Sequence, residues 1–251
     1  MSVFQKIQRM RKLPEDVIIL DEDGCQDKKP VKTEDLGKIF EMAICLLYKI
    51  PFDGKYKYSI AEAETICVRI NNLLTIFPYN IKHTAKNGNK YDFSSIDNPE
   101  INLSAKTTKK DGKVCPQVIG QPSREKFCTF FNVEGSIDVL ESIKTHIEKN
   151  VCDMLKIYFE NTFDCPIIYY NKHKNILKFV KAKNEINWNE YLIEFSHKKK
   201  NKEWCESSTI SIAGKNVGEF QVHNNRNCVK FRWFFENLLR DFAESFDITN
   251  L

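Results

Sequence analysis

Asp92 and Lys106 are the two positions in this 251-residue chain whose types and separation suggest chemistry. Asp92 stands in a short aromatic segment, YDFSS, which is followed by a polar turn, SSIDNPE. A second extended segment then presents Ser104, Ala105 and Lys106. Alternate residues of a strand share a face, so Ser104 and Lys106 point the same way. If the two segments pair, Asp92 and Lys106 converge at one end. A carboxylate can hold Mg²⁺ through oxygen at about 2.1 Å, and a lysine beside it can orient or activate a water. Phosphodiester hydrolysis needs those parts, with a cation near the scissile phosphate. A plainer reading has Asp92 cap the turn before Ser94 and Ser95, with Lys106 an exposed strand lysine.

The pattern of Asp92, an eleven-residue gap and Ser104-Ala105-Lys106 resembles the PD-(D/E)xK nuclease motif, with Ser104 where the second acid usually stands. Other segments add to the resemblance in chain order, over roughly residues 33–240. GKIFE, ending in Glu41, resembles the early helix glutamate of type II restriction endonucleases. LSAKTT followed by GKVCPQVIGQ resembles the strand and loop after the catalytic lysine, and GEFQVHNNRNCVKFRW resembles a late DNA-approaching hairpin.

The resemblance implies a restriction-endonuclease-like fold and a site-specific, Mg²⁺-dependent endonuclease that cuts double-stranded DNA to leave 5′-phosphate and 3′-hydroxyl ends. Asp92 would be the principal metal ligand and the backbone carbonyl of Ala105 the second. Lys106 would position or polarise the attacking water, and Glu41 would reach the metal through a water. Ser104 departs from the pattern; Glu100, Asp97 and Glu41 are the candidates to supply the missing charge. Gln117 and Gln121 would contact DNA near the cut. A homodimer and a cognate DNA methyltransferase stay open as partners. Two other functions also stay open. One is a catalytically inactive DNA-binding protein of the same fold, favoured by Ser104; the other is a structure-specific repair or recombination nuclease.

In the late hairpin the apolar Phe220, Val222, Val229, Phe231 and Trp233 alternate with Gln221, His223, Lys230 and Arg232. The Asn-rich turn between them suits positive φ and projects Arg226. Gln and Arg can read base edges bidentately, while Lys mostly meets phosphate, so the polar face fits a β-ribbon in a DNA groove. An ordinary solvated hairpin face is the competing reading.

Positioning these residues requires a mixed sheet flanked by helices, an α/β or α+β fold in one domain. Residues 1–32 read as an arm or irregular lead-in. Residues 33–251 read as one domain, with a catalytic core over about 33–160 and a β-rich, DNA-contacting part over about 165–251. A helix begins near Thr33 and ends at Pro51, with Leu36, Ile39, Phe40, Ile44 and Leu47 in one stripe. Ser59 and Glu62 form a capping box that opens a second helix running to Phe77. Short strands occupy 79–120, a long helix 136–160, and six strand-like segments the remainder. The segment FFENLLRDFAESF reads as a closing helix.

Hydrophobic residues make up 42% and charged residues 29%, a globular rather than disordered balance. No apolar run reaches the ~20 residues needed to span a bilayer, so no membrane partner is expected. The basic N-terminus lacks the apolar stretch of a signal peptide, pointing to an intracellular, cytoplasmic protein. Nine cysteines with no CxxC pair read as reduced thiols rather than zinc ligands. A net charge of +4 says little, although lysines cluster at 106–113 and 172–202.

Overall fold

The computed structural model describes residues 33–85, 89–110, 112–134 and 139–251. The expected N-terminal arm and residues 86–88, 111 and 135–138 lie outside the described residues. The described residues divide into two compact units, one running up to Ala105 and including Leu251, the other from Lys106 to Asn250.

In the first unit, helix α1 (Thr33–Tyr48) buries Leu36, Ile39, Phe40, Ala43 and Ile44, the three-and-four spacing that puts one stripe against a core. Its last residue is pinned where Tyr48 Oη donates to the Phe77 carbonyl at 2.6 Å. Helix α2 (Ile60–Arg69) starts where expected, the Ser59 hydroxyl accepting from the Glu62 amide. It does not run on to Phe77. The chain breaks at Ile70-Asn71-Asn72 and resumes as a single turn, α3 (Leu73–Ile76). Two adjacent Asn residues have low helix propensity, which the apolar periodicity alone does not register. Three strands follow: β1 (Ile81–His83), β2 (Phe93–Ser95) and β3, which starts at Asn102. They are antiparallel, with His83 opposite Phe93, and Phe93 opposite Leu103. Ile81, Phe93 and Leu103 are buried.

The second unit opens inside β3 (Asn102–Thr108), whose final residues lead a sheet of order β3-β5-β6-β11. Its partners are β5 (Ile167–Asn171), β6 (Ile176–Ala182) and β11 (Phe246–Asn250). A five-stranded sheet runs β4-β10-β9-β8-β7. Those strands are β4 (Lys113–Val114), β7 (Ile193–Phe195), β8 (Ser207–Ile212), β9 (Lys215–Val222) and β10 (Val229–Phe234). Helices α4 (Arg124–Phe131), α5 (Val139–Lys149), α6 (Val151–Phe163), α7 (Ser196–Lys199) and α8 (Phe235–Asp241) complete the unit.

The apolar centre is aromatic. The ring of Tyr158, on α6, stacks on Phe231 at 4.2 Å between centroids, and the indole N–H of Trp233 donates to Thr162 Oγ1 at 2.9 Å. Aromatic rings bury the most surface per side chain and fix packing through preferred ring geometries.

The fold class read from the sequence holds: mixed α+β, with eight helices and two sheets among the described residues. Several boundaries do not. The long helix expected over 136–160 is two helices meeting at Asn150. Helix α4, capped by the Ser123 hydroxyl, was not anticipated. The closing helix stops at Asp241 and gives way to β11. No helix among the described residues is long and apolar enough to cross a membrane, and the eight described cysteines are free thiols.

Candidate active site

The β2–β3 hairpin of the first unit fixes where its acids can reach. Its turn holds Asp97 and Glu100, both exposed. Asp92 and Ala105 lie at the opposite, open end, about five residues and so roughly 16 Å away along an extended strand. Asp97 and Glu100 therefore cannot supply the charge missing at Ser104.

At the open end the strand ladder breaks in an informative way. The rung after Phe93–Leu103 would hydrogen-bond Tyr91 to Ala105. Instead, the Tyr91 carbonyl accepts from Thr84 Oγ1 at 3.0 Å, and the Asp92 carbonyl accepts from the Thr84 amide at 2.8 Å. The Ala105 amide donates to Asp92 Oδ2 at 2.8 Å. In an antiparallel ladder a residue's N–H and C=O face the same neighbour, so the Ala105 carbonyl is directed to the side that the carboxylate occupies. Ser104 is fully buried.

Glu41 is buried, at 6% exposure. Its Oε2 accepts from Lys38 Nζ at 2.8 Å and lies 3.0 Å from His83 Nε2. The Asp53 amide donates to His83 Nδ1 at 2.9 Å. That bond makes Nδ1 the acceptor, so Nε2 carries the proton and donates to Glu41. The imidazole is stacked on Phe52 with 4.4 Å between centroids, leaving it little rotational freedom. His83 was missed in the sequence, although Ile81 and His83 alternate onto one strand face.

Lys106, one residue beyond Ala105, belongs to the second unit and to a different group. Trp233 pairs with Val114, which sets Cys115 beside Arg232. Burial pushes the Cys115 thiol above its usual value, while Lys230, Arg232 and Lys106 pull against that rise. The hairpin face itself forms as expected, Gln221 opposite Lys230 and Arg232 opposite Glu219. Glu219, overlooked in the sequence, is buried on that face. It accepts from Arg232 at 2.6 Å, Lys113 at 3.2 Å and Gln221 at 3.3 Å. Burial raises its pKa, but the Arg232 hydrogen bond and the Lys113 and Arg232 charges outweigh that, holding it below the usual value.

Elsewhere in the unit, His223 Nδ1 lies 3.0 Å from a Glu206 oxygen, and Arg124 donates to the carbonyls of His223 and Asn224, clamping the turn. Arg226 is exposed at its tip. Gln117 is buried, whereas Gln121 is exposed with its amide 3.9 Å from Cys228 Sγ.

No group of three or more His, Cys, Asp or Glu side chains gathers among the described residues. The donors at the open end of the hairpin are a carboxylate and a backbone carbonyl, both hard oxygen. Such a set suits Mg²⁺, which keeps most of its waters and needs only one or two carboxylates.

The chain is thus an α+β protein whose first unit holds the Asp92 carboxylate on the backbone amide of Ala105. It is similar to the type II restriction enzyme CviAII of Paramecium bursaria Chlorella virus 1, with 46% identity over 220 residues. The match covers 87% of this chain but 63% of that enzyme's length. No protein-family model and no solved structure matches the chain.

Proposed function

We propose that the protein is a type II restriction-like endonuclease that hydrolyses phosphodiester bonds at specific sites in double-stranded DNA. The observation that carries this reading is the Asp92 carboxylate held by the Ala105 amide, one residue before Lys106. Similarity to a named type II restriction enzyme supports the same substrate class. Asp92 and the Ala105 carbonyl would hold Mg²⁺, which, when bound, neutralises charge developing on the scissile phosphate. Lys106 positions the attacking water and lowers the cost of deprotonating it. The water oxygen bonds to phosphorus and the bond to the 3′ oxygen breaks, leaving 5′-phosphate and 3′-hydroxyl ends. Glu41, held by His83 and Lys38, adds a second fixed carboxylate on the first unit. Gln221, His223, Arg226, Lys230 and Arg232, with Gln117 and Gln121, form the DNA-contacting set. A cytoplasmic location, a homodimer and a protecting DNA methyltransferase belong to the same reading.

One observation favours a second reading, a DNA-binding protein without catalysis: Ser104 places a fully buried hydroxyl where a second carboxylate would stand. Incubating the purified protein with plasmid, with Mg²⁺ or with EDTA, separates the two. Discrete Mg²⁺-dependent fragments support the endonuclease; binding without cutting overturns it in favour of the second reading.

A further inference from the structure

Val118 is the most strained position in the loop between β4 and α4. Its φ is +58°, and the Ile119 amide donates to the Gln117 carbonyl across it at 2.5 Å, a γ-turn of the rare positive-φ kind. A β-branched residue there is an outlier, because its Cβ crowds the backbone. Packing does not compensate: Val118 is 69% exposed.

The loop is nonetheless held firmly. A Cβ on Gly120 would lie 2.4 Å from the Pro116 carbonyl oxygen, so only glycine permits the close return of the chain. The Phe231 amide donates to the Gly120 carbonyl at 2.9 Å, and the Val229 amide to the Pro122 carbonyl at 3.1 Å. Val229 and Phe231 alternate along β10 with Lys230 and Arg232. The strand that anchors the loop therefore also presents those cations, and Lys106 acts on the same Cys115 from which the loop departs. A rigid apolar tip thus stays in an unfavourable backbone state on a loop anchored to the strand that carries Lys230 and Arg232, the kind of outlier from which a role in contact is argued.

We propose that Val118 is a wedge that presses against a base step of duplex DNA while the neighbouring cations meet phosphate. Duplex DNA offers that combination, an anionic backbone around apolar stacked bases that side chains such as this can part. The inference rests on the endonuclease reading above.

The test compares the full chain with Val118→Gly and Val118→Leu, using plasmid cleavage and binding to a duplex carrying the mapped cut sequence with 2-aminopurine at the central step. Glycine adopts φ +58° without strain, so Val118→Gly is expected to raise Tm by about 2–4 °C. The same variant is expected to weaken duplex binding at least about tenfold, the scale of one lost base contact, and to abolish the 2-aminopurine fluorescence rise. Val118→Leu is expected to keep the affinity and the signal. Should Val118→Gly bind and cut like the unaltered protein, the wedge is overturned and the endonuclease reading stands. If the unaltered protein neither binds nor cuts the duplex, both are overturned.

Discussion

The Ala105 amide donates to Asp92 Oδ2 across 2.8 Å, so a side chain takes the place of a backbone rung where β2 and β3 part. The bond gives Asp92 a structural task beside the catalytic one proposed for it, and the two can be separated. Asp92→Asn keeps an acceptor for the amide but loses the charge. It should unfold within about 0.5 kcal/mol of the unaltered protein, whereas Asp92→Ala should lose about 1–2 kcal/mol. Both should cut plasmid more than about a hundredfold more slowly, since metal-assisted charge neutralisation contributes several kcal/mol. Thermal unfolding alongside timed plasmid digestion measures both quantities, and full cutting by Asp92→Asn would remove the residue from the site.

Lys230 and Arg232 look equivalent in the sequence and are not equivalent in the fold. Arg232 holds the buried Glu219 at 2.6 Å. Lys230→Ala should lower the slope of log affinity against log salt by about 0.9, the signature of one lost phosphate contact, at unchanged stability. Arg232→Ala should in addition destabilise the fold by about 1–3 kcal/mol, because it strips a charged partner from a buried carboxylate. DNA titrations at several salt concentrations, with denaturant unfolding of both variants, decide the matter.

Glu219 makes stability depend on acid. Its folded pKa lies below the ordinary 4.5, so the unfolded chain takes up a proton first as pH falls. The carboxylate's contribution is fully present above the unfolded value and is lost as pH drops through the folded one. Glu219→Gln should therefore flatten the stability profile below about pH 4.5 while lowering stability at neutral pH. Unfolding curves from pH 3 to pH 7 give the comparison, and parallel profiles for the two proteins would contradict it.

His83 fixes Glu41 through a single tautomer. His83→Leu removes the Nε2 donor and leaves Lys38, at 2.8 Å, to hold the buried carboxylate. The expected cost is about 1–3 kcal/mol. In the double variant with Glu41→Leu the loss should shrink, since both polar partners are then gone. A double-mutant cycle in urea reads the coupling; strictly additive losses would show that the contact contributes nothing.

Much of this architecture was legible in local pattern. The stripe on α1, the Ser59 cap and the alternation in β9 and β10 each depend on neighbours within a few residues. Helix α4 carried its own signal, a Ser123 cap with Phe127 and Phe131 four apart, but its brevity hid it among strand-like segments. β11 was not anticipated, because only its pairing with β6 makes FDITN a strand. Glu219 sits two residues before Gln221, so alternation alone puts it on the hairpin's polar face. The grouping of Lys106 with Lys230 and Arg232 had no local signal, since more than a hundred positions separate them.

The aromatic centre of the second unit has a spectroscopic consequence. Trp188, Trp204 and Trp233 are the chain's three tryptophans, and all fall within residues 106–250. Trp188 and Trp233 stack at 5.7 Å. Indole emission therefore follows the melting of that unit alone, while the residues up to 105 stay dark in that channel. Comparing the emission midpoint with that of far-ultraviolet circular dichroism would reveal whether the two halves come apart in one cooperative step.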